Sequence, residues 1–203
     1  MIVIGLTGSI GMGKTTAAGM LRDLGIPVHD SDECVHRLLA ADGGAVGIVG
    51  KKFPDALKTD AAGRSFIDRQ VLGRIVFADR GKKKELEDIL HPMVRAESDK
   101  FKTDMRQKAQ RAVALDIPLL FETGGEKRVD VTICVTAPRE VQRERVLARP
   151  GMTSEKFDRI VAGQLPDSEK RKRAHYVVET GKGFEDTRQQ LQKIVDKILS
   201  VRR

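Results

Sequence analysis

The chain has no tryptophan, one tyrosine and seven phenylalanines among its 203 residues, so any core it builds must be aliphatic. Its two cysteines, Cys34 and Cys134, are far apart and belong to no C-x-x-C pair. This excludes a disulfide framework or a cysteine-built zinc site and fits a reducing compartment, so a cytoplasmic location is expected. No apolar run approaches the ~18 residues of a membrane-crossing helix. The longest candidate, Ala112 to Phe121, is interrupted by Asp116 and Pro118. The opening stretch Ile2 to Leu6 is short and has no basic residue before it, unlike a secretory signal. No membrane partner is expected.

Hydrophobic residues make up 40% and charged residues 33%, the balance of a globular protein rather than a disordered one. The net charge of +8 points to anionic partners, either phosphorylated small molecules or nucleic acid. With no recognisable nucleic-acid module and few aromatics for stacking, the small molecule is the better reading. The length suits one core domain carrying insertions.

Short apolar runs alternate with helical patterns, the signature of an α/β fold with a parallel sheet. The expected strands are Ile2–Thr7, Pro27–Asp30, Ala112–Asp116, Val129–Val135 and Tyr176–Glu179. Lys14 to Leu24 places Ala17, Met20, Leu21 and Leu24 on one helical face, and Gly25 stops it. Leu191, Ile194, Val195, Ile198 and Leu199 form a second helical stripe. The long stretch between the second and third strands cannot be a simple crossover, so it predicts an inserted helical subdomain. The Arg- and Lys-rich segment 143–173, broken by Pro150-Gly151 and Pro166, predicts a mobile helical flap.

The first strand leads into Gly8-Ser9-Ile10-Gly11-Met12-Gly13-Lys14-Thr15, the phosphate-binding pattern G-x-x-x-x-G-K-S/T. Glycines let successive backbone N–H groups turn toward phosphate oxygens. Lys14 supplies a point charge for the β- and γ-phosphates, Thr15 a hydroxyl for Mg²⁺, and the following helix its positive end. Two acidic positions accompany the loop. Asp30-Ser31-Asp32 ends the second strand, either as a proton acceptor for phosphoryl transfer or as a turn and helix cap. Asp116 ends an apolar strand, either as a magnesium-side carboxylate or as a turn residue. Arg145 and Arg149 are four apart and predict a shared helix face able to clamp phosphoryl oxygens. The run Lys170 to Arg173 predicts a solvated face. His91, followed by Pro92, is expected to be extended.

Together these residues resemble the dephospho-coenzyme A kinase family over nearly the whole chain. The similarity runs from Ile4 through Gly8-Ser9-Ile10-Gly11-Met12-Gly13-Lys14-Thr15-Thr16 to Asp30-Ser31-Asp32, Asp68-Arg69, Leu72-Gly73, Val76-Phe77 and Leu90-His91-Pro92. It continues through Asp116-Ile117-Pro118-Leu119-Leu120-Phe121-Glu122, Gln142-x-x-Arg145, Arg159-Ile160 and Gln164-x-Pro166-x-x-x-Lys170. The resemblance implies ATP-dependent phosphorylation of the ribose 3′-hydroxyl of dephospho-CoA, the last step of CoA synthesis, with Mg²⁺. It implies an α/β P-loop kinase with a parallel sheet of about five strands flanked by helices. The core would comprise residues 1–32, 111–142 and 174–203, a helical CoA-substrate subdomain 33–110, and a lid 143–173.

By the same resemblance, Gly8, Gly11, Met12, Gly13, Lys14, Thr15 and Thr16 hold ATP. Asp32 is the candidate base on the acceptor, and Lys14 and Arg145 serve catalysis. His91, Pro92 and Leu119 lie near the acceptor, and Thr15 and Asp116 toward the metal. A monomer is expected. The family usually carries Ala-Asp before its last strand and Asp-Asn after it, whereas this chain has Ala174-His175 and Glu179-Thr180-Gly181. The second departure falls where the family's adenine contact would be. The rival enzyme reading is another P-loop kinase acting on a nucleoside monophosphate or a sugar-like acid, separable by a panel of acceptors. The rival outside small-molecule kinases is a nucleic-acid-binding ATPase, separable by filter binding.

Overall fold

Ile2–Thr7 is buried along its entire length and forms strand β1. A strand covered on both faces needs no polar side, which is why it reads as an unbroken apolar run. The structure is a computed structural model and describes residues 1–200. Residues 201–203, expected at the end of the core, lie outside the described residues. Strands β5 (Ala112–Asp116) and β6 (Val131–Thr136) flank β1 in parallel. Strand β7 (Tyr176–Glu179) pairs in parallel with β6, and β2 (Val28–Asp30) occupies the other edge, giving the order β2-β5-β1-β6-β7. The register sets Leu6 opposite Asp116, Thr7 opposite Cys134 and Thr136 opposite Glu179. The carboxyl ends of β1, β5, β6 and β7 thus share one edge, where ligands of open parallel sheets bind.

The chain divides into two compact units, Met1–His29 with Asp104–Arg203, and Asp30–Thr103. In the first, helices α1 (Lys14–Asp23) and α9 (Phe184–Ser200) bring Ala17, Leu21, Leu191, Val195 and Ile198 into one cluster with Ile4, Leu6, Ile133 and Val135. Both cysteines are buried free thiols, and burial, followed by the charge of Asp167, pushes the Cys134 thiol up to about 12. The segment expected as a flap is three helices: α6 (Arg139–Leu147), α7 (Ser154–Ala162) and α8 (Asp167–Arg173).

The second unit holds α2 (Ser31–Leu39), α3 (Val46–Lys52), α4 (Arg69–Ala78) and most of α5 (Arg80–Gln107) around Leu39, Val49, Phe53, Ile67, Leu72 and Leu90. It is not purely helical. An antiparallel hairpin, β3 (Leu57–Thr59) with β4 (Ser65–Ile67), closes around Asp60, whose carboxylate accepts the Ala62 and Arg64 amides. The extended conformation expected at His91 is also corrected, because α5 runs straight through Pro92. Proline there leaves the preceding turn without an N–H donor. Leu86, Ile89 and Met93 packing around buried Leu90 holds the helix together on both sides of the proline.

Candidate active site

The loop after β1 curls because Gly11 and Gly13 take φ values of +77° and +83°, a region that side chains with a Cβ rarely enter. Gly8 packs directly against Val135. Gly13 precedes α1 with no side-chain cap, so the first-turn amides of Lys14, Thr15 and Thr16 point out of the helix end toward any anion held there. The Thr15 and Thr16 side chains are exposed.

Lys14 reaches across the sheet edge to the end of β5, where its Nζ lies 2.5 Å from Asp116 Oδ1. The Asp116 side chain is only 1% exposed. β5 therefore delivers its carboxylate to the loop's lysine, and the two form one charge-paired centre. Among the described residues no cluster of three or more His, Cys, Asp or Glu could by itself hold a metal ion.

Arg145 sits on α6 and donates from Nη1 to Thr180 Oγ1 at 2.9 Å and from Nη2 to the Thr180 carbonyl at 2.8 Å. The Thr180 hydroxyl in turn donates to the Met12 carbonyl at 3.0 Å. Arg145 is thus joined to the phosphate loop through Thr180, which in sequence stands out only as a departure from the family pattern. Its signal was there: Thr180 follows the last strand at the carboxyl edge. The expected pairing of Arg145 with Arg149 on a helix face is corrected, since α6 ends at Leu147. His175, the other departure, accepts the Thr132 amide on Nδ1 at 3.1 Å and ties β7 to β6.

In the run expected as a solvated face, Arg171, Lys172 and Arg173 are exposed and Lys170 is the exception. Lys170 is fully buried, with Nζ 2.9 Å from Glu122 Oε1 and 3.4 Å from the Pro118 carbonyl. Its aliphatic stem needs no water, and the Glu122 carboxylate supplies the counter-charge. Burial works to raise the Glu122 carboxyl. Hydrogen bonds from Lys170 and the Leu165 amide outweigh that and hold it below its ordinary value. Leu119 is half-buried in the turn between Asp116 and Glu122, where its carbonyl accepts the Thr123 hydroxyl. The C-terminal part of the expected flap is therefore fastened to the loop after β5.

Beside the phosphate loop opens a cavity of about 800 Å³, lined by Ser9, Met12, Arg139, Gln164, Asp167 and Glu179 among others. Asp167 is bonded to the Thr136 hydroxyl through Oδ2 at 2.7 Å, while its buried Oδ1 lacks a hydrogen-bond partner.

The family model described as dephospho-CoA kinase matches residues 2–186. The chain belongs to the dephospho-CoA kinase family. A dephospho-CoA kinase from Mesorhizobium japonicum is 50% identical over 198 residues, covering 98% of this chain and 97% of the relative. A Thermus thermophilus protein of known crystal structure is 37% identical, with a TM-score of 0.82 over 97% of this chain and 96% of its own. The dephospho-CoA kinase from Campylobacter jejuni is 27% identical, with a TM-score of 0.72 over 99% and 98% of the two chains.

The remaining residues that the family resemblance singled out lie on the second unit. Asp30 caps α2, accepting the Glu33 amide at 3.0 Å, and Asp32 stands exposed on that helix's first turn. His91 and Pro92 lie within α5. The second unit has its own cleft of about 640 Å³, bordered by His36, Arg37, Phe66, Asp68 and Arg69.

Proposed function

We propose that this chain transfers the γ-phosphoryl group of ATP to the 3′-hydroxyl of the dephospho-CoA ribose. The observation that carries the reading is the phosphate loop with Lys14 drawn to the end of β5, in a chain of this family. Phosphoryl transfer asks little covalent chemistry of a protein, only positioning and charge compensation. The α1 amides and Lys14 would neutralise the β- and γ-phosphates, with the nucleotide drawing Lys14 from Asp116. Arg145 would add charge at the loop's outer side.

Asp32 would accept the proton of the 3′-hydroxyl as its oxygen bonds to the γ-phosphorus and the bond to the β,γ-bridging oxygen breaks, releasing ADP. Asp30, already committed to capping α2, is the less suited carboxylate. The second unit would hold the acceptor, and the guanidinium groups of Arg37 and Arg69 in its cleft, with the His36 ring as a further hydrogen-bonding group, suit the diphosphate of dephospho-CoA. His91, Pro92 and Leu119 would border the acceptor as well.

Magnesium fits the donors present. A kinase ion takes one or two protein oxygens and completes its shell with phosphates and water, and Thr15 and Asp116 offer one hydroxyl and one carboxylate. When bound, Mg²⁺ supplies charge compensation to the phosphate oxygens. The closing part of the lid would be α7, with Gln164 to Arg173 its fixed base.

The test is a mass-resolved product assay. Purified protein with ATP and dephospho-CoA should yield CoA and ADP in equal amounts. Turnover of a nucleoside monophosphate or a sugar acid, with none of dephospho-CoA, would overturn the reading.

A further inference from the structure

Two glutamines hold the phosphate loop by a single residue. Gln142, on α6 and 5% exposed, donates from Nε2 to the Ile10 carbonyl at 2.8 Å. Gln164, just beyond α7, accepts the Ile10 amide on Oε1 at 3.1 Å. Both belong to patterns that the sequence marks, yet neither has a part in the transfer described above.

Backbone geometry says what the grip does. A trans peptide directs its C=O and N–H to opposite sides. Holding the Ile10 carbonyl toward Gln142 therefore turns the Gly11 N–H the other way. Left alone, this peptide has little preference, because glycine tolerates both signs of φ at similar cost. Gly11 sits at +77°, and a Cβ there would lie 2.5 Å from Val146 Cγ2, so α6 is pressed directly against the turn. On the other side, holding the Ile10 amide toward Gln164 turns the Ser9 carbonyl away, where it accepts the Met12 amide at 3.1 Å. The directions of the Ser9–Ile10 and Ile10–Gly11 peptides are thus held from outside the loop.

We propose that Gln142 and Gln164 are positioning residues of phosphoryl transfer, fixing the Ile10–Gly11 peptide so that the Gly11 N–H is committed to a nucleotide phosphate oxygen. Gln142 is the dominant member, because only a donor can hold a carbonyl. Gln164 carries the same restraint into the joint between α7 and α8. This rests on the loop's role as the nucleotide's phosphate cradle.

Gln142→Glu and Gln142→Met separate donation from packing. At pH 8 the Gln142→Glu carboxylate faces the Ile10 carbonyl and repels it. Nucleotide KM should rise and kcat fall by about tenfold each, together about a hundredfold, the scale of a buried carbonyl left without its donor. Acidification to pH 6 protonates a carboxyl whose pKa burial raises, restoring a donor. The deficit relative to wild type at the same pH should then shrink by about threefold or more. Gln142→Met, of similar volume and with no donor, should show the loss at both pH values. Gln164→Met should show a smaller KM effect.

Wild-type kcat and nucleotide KM in Gln142→Met would overturn the proposal, as would a Gln142→Glu deficit independent of pH. If Gln142→Glu does not fold, Gln142→Met and the amide resonance of Gly11 decide: an unchanged Gly11 shift on adding nucleotide to Gln142→Met, against a moving one in wild type, supports the clamp, and equal shifts refute it. An inactive Lys14→Ala beside a fully active Gln142→Met would refute the clamp alone. An active Lys14→Ala would refute the phosphate-cradle reading itself.

Discussion

The two acidic centres named from the sequence meet opposite surroundings. Asp116, at the end of β5, is buried and ion-paired with Lys14. Asp32, on the first turn of α2, stands exposed beside a cap that Asp30 already supplies. A carboxylate shut inside a sheet edge and tied to a cation holds charge in place. A carboxylate on an open helix turn can receive a substrate's proton. On the proposed reading the difference divides the work: the loop assigned to the nucleotide is shaped in advance by contacts within one unit, and the carboxylate assigned to the acceptor is left open to solvent.

The sharpest break of this division is Asp32→Asn. Loss of a general base should lower kcat by about 10²–10⁴-fold with the KM for ATP nearly unchanged, read from steady-state kinetics. A variant with normal kcat would make Asp32 a turn residue. Lys14→Ala comes next, with kcat expected to fall about 10²–10³-fold, the usual worth of one preorganised charge at a transition state. It should also lower the unfolding temperature, because Asp116 loses the cation beside it. Asp32→Asn should leave that temperature unchanged.

Lys170→Met tests whether the base of the flap is structural. Breaking a buried pair costs about 3 kcal/mol at the lower end, suited to a Glu122 side chain that keeps some solvent contact, and should appear in denaturant unfolding. The pH dependence has a definite sign. Glu122 titrates below its ordinary value in the folded protein, so its contribution is present above the unfolded carboxyl range and lost as pH falls through the folded value. Lys170→Met should flatten that acid-side loss of stability. The smallest effect is expected from Arg145→Lys. One ammonium can replace one of the two bonds to Thr180, so kcat should fall by about tenfold or less, with Arg145→Ala lower still. Equal activities in both variants would detach Arg145 from the phosphate loop.

The sheet was legible because its strands are buried on both faces, and Ile2–Thr7 and Ala112–Asp116 carry that burial in their composition. The hairpin of the second unit was not. Its strands are three residues each, and Leu57, Lys58 and Thr59 are all exposed, so there is no alternation to read. The phosphate loop announced itself through glycines at fixed offsets. Its supports did not, since Thr180 and Gln142 meet it across separations of 168 and 132 residues. Lys170 was misread because a charge within a basic run has the composition of a solvated face, and only the fold reveals Glu122 opposite it. Pro92 was misread because a local preference gave way to packing around Leu90.

The hydroxyl of Thr180 on the Met12 carbonyl also orders events in time. Residues 8–15 leave a ribosome before Gln142, Gln164 and Thr180, which follow much later. At about 5–20 residues per second, roughly ten to thirty seconds separate Met12 from Thr180. During that interval the loop has its glycines and its lysine and lacks the partners that set the direction of its peptides. A nascent chain stopped before β7 should therefore bind nucleotide poorly despite carrying the complete phosphate-binding motif.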